Sequence, residues 1–338
     1  MNSKIPVAVV GASGYTGLEL IKILLNHPYF KLVSLYTSEG DSDIVKLHPS
    51  LKSVFYMDVK KTDPVEISKK AELAFLALPH KTAMGFAKKL LDLGVKVVDL
   101  SADYRLELET YEKFYCPHED REHLKDAVYG LPEFYRDEIK DSVLVANPGC
   151  YPTASLLAVL PFGELIDENF PVFIDAKSGV SGAGKKCSQK VHFVTINENI
   201  FSYNPLSHRH SPEIGEKIEK ICKKKCDINF VPHLLPVTRG MLVSVYMRLK
   251  EETDPLEHLK KFYKDEYFIR VREEPVDIKS GAGTNFCDIY AKAKGKNVFV
   301  SSSIDNLLRG ASSQAVVNAN IMFGLKEREG IPTISYVP

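Results

Sequence analysis

A short apolar strand, Ile5 to Val10, runs straight into Gly11-Ala12-Ser13-Gly14-Tyr15-Thr16-Gly17, and that run opens a helix with apolar positions Leu18, Ile21, Leu24 and Leu25. A second strand, Lys31 to Tyr36, follows His27-Pro28. Few folds accept this order. Strand, glycine turn, helix and strand begin a βαβ unit, in which glycine backbone and a helix start meet a pyrophosphate. The spacing is G-x-x-G-x-x-G, not the commoner G-x-G-x-x-G, and a tight turn without a ligand is the competing reading. Gly11, Ser13, Gly14, Tyr15, Thr16 and Gly17 are the candidate cofactor contacts.

The end of the second strand selects the cofactor. An acidic residue there would bind the ribose 2′-hydroxyl of NAD, and its absence leaves room for a 2′-phosphate. Here the strand ends in Thr37-Ser38, two hydroxyls suited to a phosphate, so NADP is expected. Glu39, Asp41 and Asp43 follow and supply no positive charge. Further strands fall at Leu73 to Leu78 and Val95 to Leu100, with a helix from Thr82 to Leu93 between them. Ser101-Ala102-Asp103-Tyr104-Arg105 leaves the second of these at its carboxyl end, the edge where open α/β sheets bind ligands. Arg105 is a candidate clamp for a carboxylate or phosphate, against the alternative of a surface ion pair. His80, also at a strand end, lines the cofactor at most.

The segment Asn147-Pro148-Gly149-Cys150-Tyr151-Pro152-Thr153 lies between a strand-like run, Ser142 to Ala146, and a helical run from Ala154 to Leu160. Pro148 and Gly149 force a turn, and Pro152 suits the first turn of a helix. Cys150 is thereby placed at a strand-to-helix turn. Backbone N–H groups and the positive end of a helix dipole in such a setting favour a thiolate and an oxyanion. The alternative is a small buried cysteine at a tight turn.

After Cys150 the pattern changes. Alternating strand-like runs span Val172 to Ala176, Asn229 to Leu235, Leu242 to Leu249, Phe286 to Ala293 and Asn297 to Ile304, with helices near Pro212 to Ile221 and Pro255 to Phe262. At 338 residues the chain is too long for one core. The expected fold class is therefore an α/β Rossmann-type nucleotide-binding domain plus an α+β catalytic domain with a mainly antiparallel sheet. Residues 1–149 form the first, completed by a C-terminal helix within 311–338. Residues 150–310 form the second, with the catalytic and dimerisation role.

A cysteine nucleophile needs a base. His27, His48, His118, His123 and His258 sit in polar or loop contexts and read as solvated. His208-Arg209-His210-Ser211-Pro212-Glu213 is different: two imidazoles, a guanidinium and a carboxylate precede a helix, with Ser211 as its N-cap. His208 and His210 are both candidate acid/bases, and the residues alone do not choose between them. Arg209 suits an anionic substrate, and Glu213 can orient a nearby imidazole. Lys177 to Lys186 reads as a glycine-rich loop whose backbone N–H groups could cradle a phosphate, with Lys185 or Lys186 adding charge; a plain flexible connection is the rival. Arg239 is a further possible anion contact.

Forty-four basic residues balance forty-four acidic ones, so nothing points to nucleic acid or an anionic membrane. No apolar stretch is long enough to span a bilayer. The first residues, Met1 to Lys4, lead directly into a strand, and six scattered cysteines read as reduced thiols, so a cytoplasmic location is expected. Cys222 and Cys226 are spaced for a metal, but four nearby lysines argue against one, and no metal is expected. Together these features suggest attack of a thiolate on an activated acyl group, then reduction of the thioester to an aldehyde by NADPH.

The chain resembles the N-acetyl-gamma-glutamyl-phosphate reductase family, relatives of aspartate-semialdehyde dehydrogenase, over nearly its whole length. The resemblance is carried by 10–17, 99–105, Tyr129-Gly130-Leu131-Pro132-Glu133, 146–153, 178–184, 208–214 and Asp305-Asn306-Leu307-Leu308-Arg309-Gly310-Ala311. It implies that Cys150 carries the acyl group and that His208 or His210 is the acid/base. Arg105 would hold substrate, Asn306 would lie near the nicotinamide, and the enzyme would be a cytoplasmic homo-oligomer, dimer or tetramer, acting on a small-molecule acyl phosphate. On this basis Asn147, Ser178, Gly179, Arg209 and Glu213 join Arg105 as substrate-side candidates, and Ser181 joins Asn306 on the cofactor side. The family often carries a basic residue after the second strand, whereas here Ser38-Glu39-Gly40-Asp41 stands. Rival readings are a related acyl phosphate (aspartyl, or carrier-bound aminoadipyl) and a non-catalytic NADP-binding redox sensor.

Overall fold

The computed structural model describes residues 4–336. The expected run-in at 1–3 and the last two positions, 337–338, lie outside the described residues. The chain forms two compact units, residues 1–149 with 311–332, and residues 150–310 with 333–338.

The first unit is built on eight strands: β1 (Ile5–Val10), β2 (Phe30–Thr37), β3 (Ser42–Asp43), β4 (Asp58–Lys61), β5 (Leu73–Leu76), β6 (Lys96–Asp99), β7 (Val128–Tyr129) and β8 (Leu144–Ala146). They lie in the order β3-β4-β2-β1-β5-β6-β8-β7, parallel except at the β3/β4 edge. The chain moves outward from β1 to β2 and β4, then returns to β5 on the other side of β1. That reversal opens a crevice at the carboxyl ends of β1 and β5. The central strands are apolar on both faces, as a parallel sheet between helices requires: Val7, Val9, Val10, Leu73, Phe75, Leu76, Val97 and Val98 are wholly buried. Each such side chain contributes about 1.5–3 kcal/mol of burial free energy.

The helix Ser312–Met322 packs against the helices Tyr15–Leu25 and Pro132–Asp141 of this unit and is buried at every residue. It is shorter than expected. It ends at Met322 because Phe323 breaks from helical geometry, Gly324 (φ +66°) reverses the chain, and the segment from Thr333 belongs to the second unit.

The second unit carries β9 (Val172–Gly179), β10 (Phe201–Ser202), β11 (Ile228–Leu235), β12 (Met241–Arg248), β13 (Ile269–Val271), β14 (Cys287–Lys294) and β15 (Asn297–Ile304), in the order β10-β11-β9-β12-β15-β14-β13. Antiparallel pairs predominate, but β9/β11 and β13/β14 are parallel, so the sheet is mixed. Alternation of faces is the same in either strand direction, so the sequence pattern could not reveal those two pairs. The helices Cys150–Val159, His210–Cys222 and Pro255–Phe262 pack on one face of this sheet. On the other face Phe173 and Tyr246 are about half exposed, at 51% and 49%.

Candidate active site

In the first unit, β1 ends in a turn at Gly11 (φ +92°). A Cβ at Gly11 would fall 2.2 Å from the Ala77 carbonyl oxygen, and one at Gly17 would fall 2.3 Å from that of Gly11. Both positions are glycine because strand and helix approach so closely. Gly14 differs, since a Cβ there would meet nothing nearer than the Gly11 oxygen at 3.7 Å. The protein's own packing would accept a side chain at 14, so its absence leaves room for a group approaching the helix start from outside. The first-turn N–H groups of the helix Tyr15–Leu25 have no partner within the helix. These residues therefore fit a dinucleotide.

His48, expected to be solvated, is buried and its Nε2–H donates to the Ala12 carbonyl at 2.7 Å, which fixes the glycine turn from behind. His27 and His118 are buried too: His27 Nδ1 accepts from the N–H of Phe30 while its Nε2 donates to the distant Glu329 carbonyl, and His118 Nε2 donates to the Asp103 carbonyl. His258 likewise donates to the Pro161 carbonyl, and His123 is held by Asp120. The backbone acceptors responsible are invisible in a local sequence window. At the end of β2, Ser38 is exposed, and the Thr37 hydroxyl oxygen accepts the Gly40 N–H at 3.0 Å.

Two substrate-side candidates of this unit are buried among backbone and amide partners. Asn147 has no exposed surface. Its Oδ1 accepts from Asn318 Nδ2 at 3.0 Å and its Nδ2 donates to the Ala311 carbonyl at 3.1 Å. Arg105 is 4% exposed, and its Nε and Nη2 donate to the carbonyls of Asn147 and Leu100, both at 2.7 Å. The two side chains brace the ends of β6 and β8. Asp103, in the same run, accepts from the N–H groups of Lys81 and Met84 and from the Tyr111 hydroxyl, and so holds the start of the preceding helix, Ala83–Asp92.

In the second unit, Cys150 is the first residue of the helix Cys150–Val159 and half-buried. A Cβ on Gly310 would lie 2.6 Å from the Cys150 Cβ, so the segment Asp305–Gly310 lies directly against the cysteine. Asn306 in that segment is fixed at both ends: its Nδ2 donates to Ser181 Oγ at 2.9 Å, and its Oδ1 accepts the Gly240 N–H at 2.8 Å. Asp305 accepts from Arg239 and from the N–H groups of Gly283, Leu307 and Leu308. Arg239 is thereby engaged in an ion pair.

Tyr151, next in the chain, stands edge-on to both His208 and His210, at 5.7 and 5.8 Å between ring centroids, and to Phe230 at 5.4 Å. The Tyr203 hydroxyl donates to that of Tyr151 at 3.0 Å, which donates onward to the His233 carbonyl at 3.1 Å. Burial pushes the Tyr203 phenol up to about 12. The two imidazoles lie 4.8 Å apart, and the His210 N–H donates to His208 Nδ1 at 3.1 Å. Burial, with the charge of Arg209 adding, holds the His208 imidazole down at about 4. The sequence offered no sign of Tyr151, Tyr203 and Phe230 beyond the adjacency of Tyr151 to Cys150, since the other two come from elsewhere in the chain.

The local backbone differs from the sequence pattern here. The helix His210–Cys222 starts two residues early, with Arg209 at the N-cap, so Ser211 lies inside the first turn. Glu213 is buried in that turn, and Arg209 is exposed. Ser178 and Gly179 end β9 and form no open loop. The N–H groups of Gly179, Val180 and Ser181 donate to the carbonyls of Gly240, Val237 and Thr238, so these three are already engaged within the protein.

Comparison with known proteins fits this geometry. A family model described as semialdehyde dehydrogenase, NAD binding domain, matches residues 6–142, and one described as semialdehyde dehydrogenase, dimerisation domain, matches residues 150–306. The N-acetyl-gamma-glutamyl-phosphate reductase of Sulfurovum sp. is 63% identical over 99% of this chain and 100% of its own. That of Wolinella succinogenes is 59% identical over 99% of both. The chain belongs to the N-acetyl-gamma-glutamyl-phosphate reductase family. Within the wider fold, aspartate semialdehyde dehydrogenase II from Vibrio cholerae superposes with a TM-score of 0.73 at 16% identity, covering 96% of this chain and 99% of that one. Aspartate semialdehyde dehydrogenase with NADP from Candida albicans gives 0.72 at 15% identity, covering 95% and 99%. The nucleotide-binding match thus falls in the first unit, and the dimerisation match falls in the unit that carries Cys150. Among the described residues no helix is long and apolar enough to cross a membrane.

Proposed function

We propose that this member of the family reduces N-acetyl-gamma-glutamyl phosphate to the semialdehyde, with release of phosphate, through a thioester on Cys150. The observation that carries the reading is the ring cluster: Tyr151, the chain neighbour of Cys150, packs against both imidazoles at a helix start. A helix start favours an anion, here the thiolate. The thiolate attacks the acyl carbon, the C–S bond forms, and the C–O bond to phosphate breaks. The phosphate leaves with a proton from an imidazolium, for which His210 is the better donor because His208 is held neutral. NADPH, held by the first unit, supplies the hydride that converts the thioester to an aldehyde-level adduct. Collapse of that adduct breaks the C–S bond and restores the thiolate, and solvent reprotonates the imidazole. Asn306, fixed by Ser181 and Gly240, belongs to the wall of this site.

NADP is favoured over NAD by the Thr37-Ser38 end of β2, and the full-length relatives by name support the substrate. A homodimer through the exposed face of the second sheet belongs to the same reading. Phe170, Phe173, Tyr246 and Phe299 line an apolar groove there with Arg248 and Lys292, inside the region that matches a dimerisation domain. A cytoplasmic location, where six free thiols stay reduced, completes it. The test is phosphate-dependent oxidation of N-acetylglutamate semialdehyde by the purified protein, beside aspartate semialdehyde. Faster turnover of aspartate semialdehyde, or none of either, would overturn the assignment.

A further inference from the structure

The acidic turn after β2 poses a charge problem. A cofactor 2′-phosphate is a dianion at neutral pH, yet the residues that follow Thr37 and Ser38 include Glu39 and Asp41 and no cation. The strand pairing supplies one from elsewhere. β4 lies parallel to β2, with Lys61 the register partner of Thr37, and Thr62 donates from both N–H and Oγ to the Thr37 carbonyl at 3.0 Å. The turn that follows packs on the backbone of the same lysine: a Cβ on Gly40 would lie 2.3 Å from the Lys61 backbone nitrogen.

Other ammonium groups around this edge are already occupied. Lys60 and Lys70 both hold Glu66 at 2.6 Å, and Lys46 pairs with Asp43 at 3.5 Å. Successive residues of a strand face opposite ways, so Lys61 does not share the side on which Lys60 meets Glu66. Lys61 is exposed and takes no ion pair among the described residues. We propose that Lys61 of β4 supplies the positive charge that recognises the cofactor's 2′-phosphate, in place of a basic residue after β2.

This rests on the NADP reading and deepens it. An ammonium recognises phosphate as a point charge and has nothing to gain from the bare 2′-hydroxyl of NAD. Its contribution is therefore one of selectivity, and it weakens as salt screens an exposed contact.

Equilibrium binding of NADPH, NADH and adenosine 2′,5′-bisphosphate, followed by calorimetry, separates the outcomes without any turnover. Lys61→Ala is expected to weaken NADPH and the bisphosphate about tenfold or more while leaving NADH unchanged. Lys60→Ala, which removes the neighbouring lysine already tied to Glu66, is expected to change none of them. If the wild-type protein binds NADPH more tightly than NADH and Lys61→Ala keeps that margin, Lys61 is not the recognising cation. If Lys61→Ala weakens NADH as much as NADPH, the effect is not on the 2′-phosphate and the proposal fails. If the wild-type protein has no preference for NADPH, the NADP reading itself is wrong.

Discussion

The backbone N–H of His210 donates to Nδ1 of His208 at 3.1 Å, so the two imidazoles of this segment are not equivalent. That bond keeps the His208 Nδ1 lone pair engaged and the ring neutral, in line with burial holding it at about 4. In the proposed mechanism, proton transfer at neutral pH is therefore assigned to His210. His210→Asn should lower kcat about a hundredfold or more, the usual weight of a general acid/base, and flatten the pH–rate profile. His208→Asn, whose carboxamide oxygen can take the same N–H, should cost much less and leave the profile's shape intact. Equal losses in both variants would reduce the pair to packing.

The thiolate assignment has a sharper test. Cys150→Ser should reduce turnover about a thousandfold or more, because a serine alkoxide is far harder to generate than a thiolate. NADPH binding, followed by calorimetry, should be unchanged, since the glycine turn lies in the other unit. Near-normal turnover would remove Cys150 as nucleophile.

The depressed His208 also makes an acid-side stability prediction. With a folded value of about 4 against an ordinary 6.5, the unfolded chain binds a proton between those pH values that the native chain does not. Stability must therefore rise with pH across that window and fall as acid is added. Denaturant midpoints from pH 4 to 7 should climb less steeply in His208→Asn. His27, which burial also lowers, remains in that variant, so the flattening should be partial. An unaltered slope would show that His208 is charged in the native state.

Much of this was legible in the chain because it is local. β1, β15 and the Pro255–Phe262 helix fall where apolar periodicity and caps place them. Cys150 stands at the helix start that its flanking Pro and Gly residues indicate. What escaped depends on pairing between distant segments. His48 reads as a loop histidine until the Ala12 carbonyl is set against it, and Lys61 reads as one of many surface lysines until β4 is laid beside β2. The internal partners of Asn147 and Arg105 could not be read from the chain either, because they come from distant carbonyls and amides. Here buried carbonyls and amides needed partners first.

The same demand is met at Asn318, whose Nδ2 donates to the Gly130 carbonyl and to Asn147 Oδ1, both at 3.0 Å, in a helix with no exposed residue. Asn318→Ala would leave two buried acceptors without this donor, and Gln314 Nε2 would still reach Gly130 at 3.1 Å. The loss should be about 1–3 kcal/mol of unfolding free energy, centred on the Asn147 acceptor. Chemical denaturation checks it; a change below about 0.5 kcal/mol would mean that water replaces the amide.

Gly310 offers the closest probe of the cysteine's surroundings. An added Cβ would sit 2.6 Å from the Cys150 Cβ and 2.7 Å from the Asn306 carbonyl oxygen, closer than nonbonded atoms tolerate. The Asn306 contact is backbone and cannot swing away, so relief must come from displacing Cys150 or the Asp305–Gly310 segment. Gly310→Ala should therefore cost about 1–3 kcal/mol as an overpacked site. A shift of the nucleophile by about 1 Å can also cost on the order of a hundredfold in rate. Gly281→Ala, whose Cβ would meet its nearest neighbour at 3.6 Å, is the matched control and should change little. The measurements are thermal midpoint, kcat and the rate of Cys150 alkylation by iodoacetamide. If Gly310→Ala leaves both kcat and alkylation untouched, the segment does not confine the sulfur, and its role in shaping the site falls with that result.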